Sequence, residues 1–257
     1  MPRADAIAER LDALLRTSEI PDYPTALNGL QFSSRGDVRR VATAVDFSSY
    51  TVREAVAARA QMLLVHHGMF WSGLQPVTGL AYDRYRDLIT HDIAVYSAHL
   101  PLDMHPVLGN NILLARQLGL EPSAGFARYK SVEVGLSGSS DVDTRVVVQN
   151  CREFAREAGG DVVVTPFDGE RRTRHWAICT GAGADGDTIR EAAQRNIDTL
   201  IVGEGPHHTA VQARDLGMVV VYAGHYATET LGVRALGEYV ASEFSVEAKF
   251  LDAPTGL

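Results

Sequence analysis

With 257 residues, 46% of them hydrophobic, the chain carries enough apolar material for one large α/β domain or two modest ones, and its composition excludes a disordered polypeptide. The formal net charge is −8, and no Lys/Arg block is long enough to track phosphates, which disfavours nucleic acid as a partner. No apolar run approaches the roughly 20 residues of a bilayer span, and the start MPRADAIAERLDALL is amphipathic and acid-bearing rather than a signal peptide, so a soluble cytoplasmic protein is expected.

Residues 4–18 place Ile7, Leu11 and Leu14 or Leu15 at helical spacing, which predicts a first helix closed by the turn-rich Ile20-Pro21-Asp22-Tyr23-Pro24. Asn28-Gly29-Leu30-Gln31 reads as a turn into an extended segment. Residues 41–47 form the first buried strand, ending in Asp46, and Ser48 or Ser49 caps a helix running to about residue 60. The apolar run 62–65 then ends in His66 and His67, followed by GMFWSG, whose Phe70 and Trp71 make a wall beside the two imidazoles. Helices are expected at 82–91 and 109–119, flanking the run 93–97 that ends in His99 and, after a proline, Asp103.

Around 122–128 the pattern loosens and a different unit follows. Strands are expected at 132–136, 162–167 and 175–180, and helices at 146–158 and 187–196. The run 199–202 ends in Gly203, Glu204, His207 and His208. The run 219–222 ends in Gly224 and His225, with Glu229 four residues on and a helix marked by Val233, Leu236, Val240 and Phe244. Apolar runs without alternation suit strands buried on both faces of a parallel sheet. The expected fold is therefore α/β, with two linked units: residues 1–125 completed by 218–257, and a smaller unit at 126–217. A metal cleft is expected at the carboxyl ends of the strands.

Six of the nine histidines fall just after a strand. Imidazole nitrogen and carboxylate oxygen together suit Zn²⁺, Mn²⁺ or Fe²⁺. Cys151 and Cys179 lack C-x-x-C spacing and read as reduced structural residues. His66 and His67 can reach two metals, or one metal and its surroundings, while Asp103 and Glu229 are placed to bridge. Two ions about 3.5 to 4 Å apart share a hydroxide, the usual nucleophile for hydrolysis. His91, His105 and His175 read as ordinary surface or satisfied residues. His207 and His208 sit at a helix start, either as polar surface or in support of a ligand, and a carboxylate such as Glu204 is favoured near a helix N-terminus without any metal. Thr180-Gly181-Ala182-Gly183 lacks the spacing of a phosphate loop.

Five segments together, NGLQ (28–31), HHGMFW (66–71), AHLPLDMHPVLGNN (98–111), GEGPHH (203–208) and GHYATETLGVRAL (224–236), resemble the Nif-three-like dinuclear metal-centre family, whose members carry the label of type 2 GTP cyclohydrolase I homologues. The resemblance implies two divalent ions, Zn, Fe or Mn, held by His66, His67, Asp103, His225 and Glu229. It places His99 beside them, with Glu204 and His208, and gives His99 or Glu204 the task of moving a proton. It further implies two linked α/β units with the metal cleft between them, assembled into a toroidal homohexamer. The resulting expectation is a metal-dependent hydrolase in which a metal-bridging hydroxide opens the imidazole ring of a guanine nucleotide. A phosphoester hydrolase is the nearest enzymatic alternative, and a non-enzymatic metal-binding ring that binds protein partners or senses metal is the other.

Overall fold

A computed structural model describes residues 1–257, and the chain divides into two compact units: residues 1–102 with 232–253, and residues 103–231 with 254–257. The elements of the first stretch are α1 (Ala4–Leu15), β1 (Gly29–Phe32), β2 (Arg40–Asp46), α2 (Ser49–Ala57), β3 (Met62–His67), α3 (Leu80–His91), β4 (Ala94–Ser97) and the single turn α4 (Leu100–Asp103). There follow α5 (Asn110–Gln117), β5 (Pro122–Tyr129), β6 (Val132–Asp143), α6 (Thr144–Glu157), β7 (Val163–Val164), β8 (Arg172–Cys179), α7 (Gly186–Gln194), β9 (Thr199–Val202), α8 (His207–Asp215) and β10 (Val219–Tyr222). The chain ends with α9 (His225–Phe244) and β11 (Glu247–Phe250).

The first unit holds a five-stranded sheet in the order β1-β4-β3-β2-β11. All six residues of β3 are buried, as are five of the seven in β2, so the sheet is covered on both faces. The α2 and α3 crossovers make β2, β3 and β4 parallel, and parallel strands bring their carboxyl ends to one edge. Asp46 and His67 face each other in that register, and Ser97 lies two residues before His99. The core beneath gathers Val52, Leu63, Val65, Leu88, Ile93 and Val95; truncating Leu63 or Leu88 to Ala would cost about 2–5 kcal/mol. Of the two serines expected to cap α2, Ser48 does so. Its Oγ accepts from Thr51 N at 3.1 Å, and Thr51 Oγ1 accepts from Ser48 N at 2.9 Å. α1 stops at Leu15, because Arg16 turns into the left-handed region at φ 55°.

The second unit holds a six-stranded mixed sheet in the order β5-β6-β8-β9-β10-β7, with β8, β9 and β10 parallel. Successive side chains feed opposite cores. Trp176, Ile178, Ile201 and Val221 pack with Leu114, Val147, Cys151 and Phe154 on one face; Ala177, Cys179, Leu200, Val202 and Val220 pack with Phe126 and Ile189 on the other. Both cysteines are free and buried, and burial pushes the Cys151 thiol up to about 12.

The units are cut differently from the expected 1–125 with 218–257 and 126–217. Residues 103–125 join the second unit, because α5 buries Leu114 against Trp176 and β5 pairs with β6, Phe126 opposite Gly135. β10 belongs to the six-stranded sheet, and the first unit takes up the chain again only at Gly232, within α9. The strand expected over 162–167 is reduced to Val163–Val164, and β11 forms where no strand was expected.

Candidate metal centre

In the first unit three buried imidazoles, those of His66, His67 and His99, have ligand atoms all within 4.8 Å of one another. Each turns its Nδ1 to an oxygen: His66 to Ala98 O at 2.8 Å, His67 to Asp46 Oδ1 at 2.9 Å and His99 to Asp22 Oδ1 at 2.8 Å. A carbonyl can only accept, so Nδ1 of His66 carries the proton and Nε2 the lone pair. A carboxylate imposes the same tautomer on the other two rings. That is the arrangement in which histidine ligates a metal through Nε2, its other nitrogen fixed from behind.

The NGLQ stretch explains how the rings are held. Asn28 Oδ1 accepts from His99 N at 2.7 Å, and Asn28 Nδ2 donates to Asp22 Oδ2 at 2.8 Å. Leu100 N donates to the same Asp22 oxygen at 3.0 Å. Burial of Asp22 opposes its ionisation, but hydrogen bonds from His99, Asn28 and Tyr23 N hold its pKa below the usual carboxylate range. Gln31 Oε1 accepts from Met69 N at 2.6 Å and packs so closely on Gly68 that a Cβ there would strike the Gln31 amide. A side chain directly after the two histidines would thus push the Gln31 amide from its place on Met69 N. Trp71 covers the imidazoles, its ring centroid 4.6 Å from that of His67 and 4.5 Å from that of His99, as the aromatic wall was expected to do.

In the second unit His225 opens α9, one helical turn before the buried Glu229, and His225 Nε2 lies 3.1 Å from Glu229 Oε2. His225 Nδ1 meets Glu204 Oε1 at 2.8 Å. Burial lowers the His225 pKa, yet Glu229 and Glu204 outweigh it and push the imidazole up to about 9. Gly181, at φ +63°, passes so close that a Cβ would run into Glu229 Oε1. Asp103 is buried and accepts from Asn110 Nδ2 at 2.8 Å, while Asn111 Oδ1 accepts from Thr180 N at 3.0 Å. The Asn pair at the start of α5 therefore ties Asp103 to the strand end that carries Gly181.

Other histidines are placed differently. His207 and His208 are exposed at the first turn of α8, and His91 is exposed at the end of α3. His105 Nδ1 accepts from Leu108 N at 3.0 Å and closes a turn. His175 meets Ser139 Oγ at 3.2 Å. Sequence reasoning left Asp22 and Asp46 without a role; the parallel register of Asp46 with His67 was the signal available for the second.

The donors fit a divalent ion of borderline softness, being imidazoles and carboxylates with no thiolate among them. An α/β chain with such donors at its strand ends is a candidate metalloprotein. The Duf34/NIF3 (NGG1p interacting factor 3) family profile matches residues 2–255, and the chain belongs to that family. A protein of Pyrococcus abyssi named GTP cyclohydrolase 1 type 2 homolog is 39% identical over 98% of this chain and 99% of its own length. One of Halobacterium salinarum with the same name is 41% identical, with 98% of each covered. The solved structure of protein ybgI, described as of unknown function, superimposes with a TM-score of 0.88 at 31% identity over 100% of both chains. No helix is long and apolar enough to cross a membrane.

Proposed function

We propose that the chain is a dinuclear metal-dependent hydrolase. In this proposal His66, His67, Asp103, His225 and Glu229 hold two divalent ions, Zn, Fe or Mn. When bound, such ions supply Lewis acidity and a nucleophile at neutral pH. The observation that carries this reading is the engagement of the His66, His67 and His225 Nδ1 atoms by Ala98 O, Asp46 and Glu204, which directs each Nε2 to a ligand. His99, gripped by Asp22 and packed against Trp71, serves as a proton carrier beside the ions, and Glu204 as a second. The relatives' name points to a guanine nucleotide as the molecule attacked; a phosphoester is the nearest alternative substrate. The chain works as a homohexamer in this reading, in the cytoplasm, and Leu74 and Val77 of the loop after Trp71, with Leu80 at the start of α3, supply exposed apolar contact surface.

Elemental analysis of protein purified without chelator, together with hydrolysis assays on GTP and simple phosphoesters, tests the reading. His66→Ala, His67→Ala and Glu229→Ala should each lower the metal content and abolish hydrolysis, whereas His91→Ala, His105→Ala and His175→Ala should leave both unchanged. Full metal in one of the first three removes that residue from the ligand set. Metal without hydrolysis of any of these substrates would favour the non-enzymatic ring, with metal as a structural or sensed ligand.

A further inference from the structure

Beside His67, and wholly within the first unit, lies a cavity of about 430 Å³, the size of a small heterocyclic ligand. His67, Asp46, Phe70, Trp71, Arg84 and Tyr85 line it. Arg84 is its single strong cation, and that guanidinium forms no ion pair. Nη1 donates to Ser49 Oγ at 3.2 Å, the group lies over the Phe47 ring at 5.6 Å, and Nε is buried with no hydrogen-bond partner. The acids nearest along α3 are engaged elsewhere, since Asp83 and Asp87 both pair with Arg86. Asp46, the carboxylate that lines the cavity, is turned to His67. A half-buried arginine without a carboxylate is costly to retain for packing alone, because a partly desolvated cation gains most from an anionic acceptor.

We infer that Arg84 is the anion-recognising, specificity-determining residue of this cavity, and that its ligand is a phosphate-bearing heteroaromatic compound such as a nucleoside monophosphate. The phosphate meets the guanidinium fork, which suits two phosphate oxygens at once. The ring lies against Phe70 and Trp71, which brings its reactive side to His67. Planar aromatic walls together with one cation match that chemistry, and they do not match an unphosphorylated base or an aliphatic phosphate equally well. The inference rests on the metal centre proposed above only for what happens to the ligand after it binds.

Calorimetric titration of the full chain with GMP, guanosine and glycerol phosphate tests it. The wild type should bind GMP at least about tenfold more tightly than either of the others. Arg84→Met, which keeps the aliphatic length packed on Phe47, should bring GMP to within about twofold of guanosine while metal content stays constant. Arg84→Lys keeps the charge without the fork and should retain part of the preference. Equal binding of GMP and guanosine by the wild type, or an undiminished preference in Arg84→Met, overturns the inference; if Arg84→Met does not fold, an undiminished preference in Arg84→Lys argues against the fork. The two proposals fail separately. Loss of the metal reading would appear in the elemental analysis of the His67 variant with the GMP preference intact, whereas failure here would leave the metal content as expected and remove the preference.

Discussion

His67 and Asp46 face each other across β3 and β2, and the Nδ1 of the one lies 2.9 Å from the Oδ1 of the other. The carboxylate fixes the ring and makes Nε2 a stronger donor. Asp46→Ala should therefore weaken metal binding by about 10–100-fold with every ligand side chain still present. Competition with a chromophoric chelator measures this. An unchanged affinity would reduce Asp46 to a surface residue.

His225 gives the metal-free protein a pH dependence of definite sign. Burial works against its protonated form, but Glu229 and Glu204 prevail and carry its pKa to about 9, above the reference of about 6.5. The associated stability is complete below about 6.5 and is lost as pH rises through about 9. In EDTA-treated protein the unfolding midpoint should fall over that window, and His225→Asn should fall less. Metal occupancy runs the other way, because an ion must displace that proton, so it should drop as pH approaches about 5. Equal pH slopes for wild type and His225→Asn would contradict the assignment.

Gly181→Ala should disturb the site without touching a donor atom. At φ +63° a Cβ costs about 1–2 kcal/mol in backbone strain, and here it would also displace the Glu229 carboxylate, with His225 Nε2 only 3.4 Å away. Gly217, at φ +65°, has open space around it. Gly217→Ala therefore carries the strain alone and isolates the second effect. Metal content by elemental analysis should fall in Gly181→Ala and not in Gly217→Ala; equal content would mean that Glu229 relaxes freely.

Assembly can be read from mass. Leu74 is 97% exposed and Leu80 67%. Light scattering should report a particle near six times 27.9 kDa, and Leu74→Asp should lower that mass by placing a charge in a contact. A monomeric wild type at micromolar concentration would refute the ring, and a hexameric Leu74→Asp would move the interface to another surface.

The central strands were legible because burial on both faces leaves an unbroken apolar run, as in VVVY of β10 and TLIV of β9, and each run ended where a histidine or glycine changed the pattern. Strands that pair through the backbone at a sheet edge leave no such trace. β11 reads EAKF with three of its four residues exposed, and β5 opens with Pro-Ser-Ala-Gly. His66 and His67 prove to be the last two residues of β3 rather than residues beyond it, while His99 follows β4 as expected; the oxygen behind each Nδ1 was not visible. Asp22 reaches His99 over 77 residues of chain, and only folding brings them together. The division between units was misplaced by some twenty residues because α5 carries ordinary helical spacing, which says nothing about which sheet the helix will cover.

The parallel pairing of β11 with β2 sets an order for synthesis. Glu247 pairs opposite Arg40, so about 200 residues must emerge from the ribosome before the outer edge of β2 is covered. The whole of 103–231 is made in that interval and can fold as a parcel of its own, while the earlier sheet waits with one strand missing. An open edge on a growing chain invites pairing with other chains. A nascent chain stalled before residue 247 would thus be the aggregation-prone form, and chaperone capture during translation should be heaviest over that window.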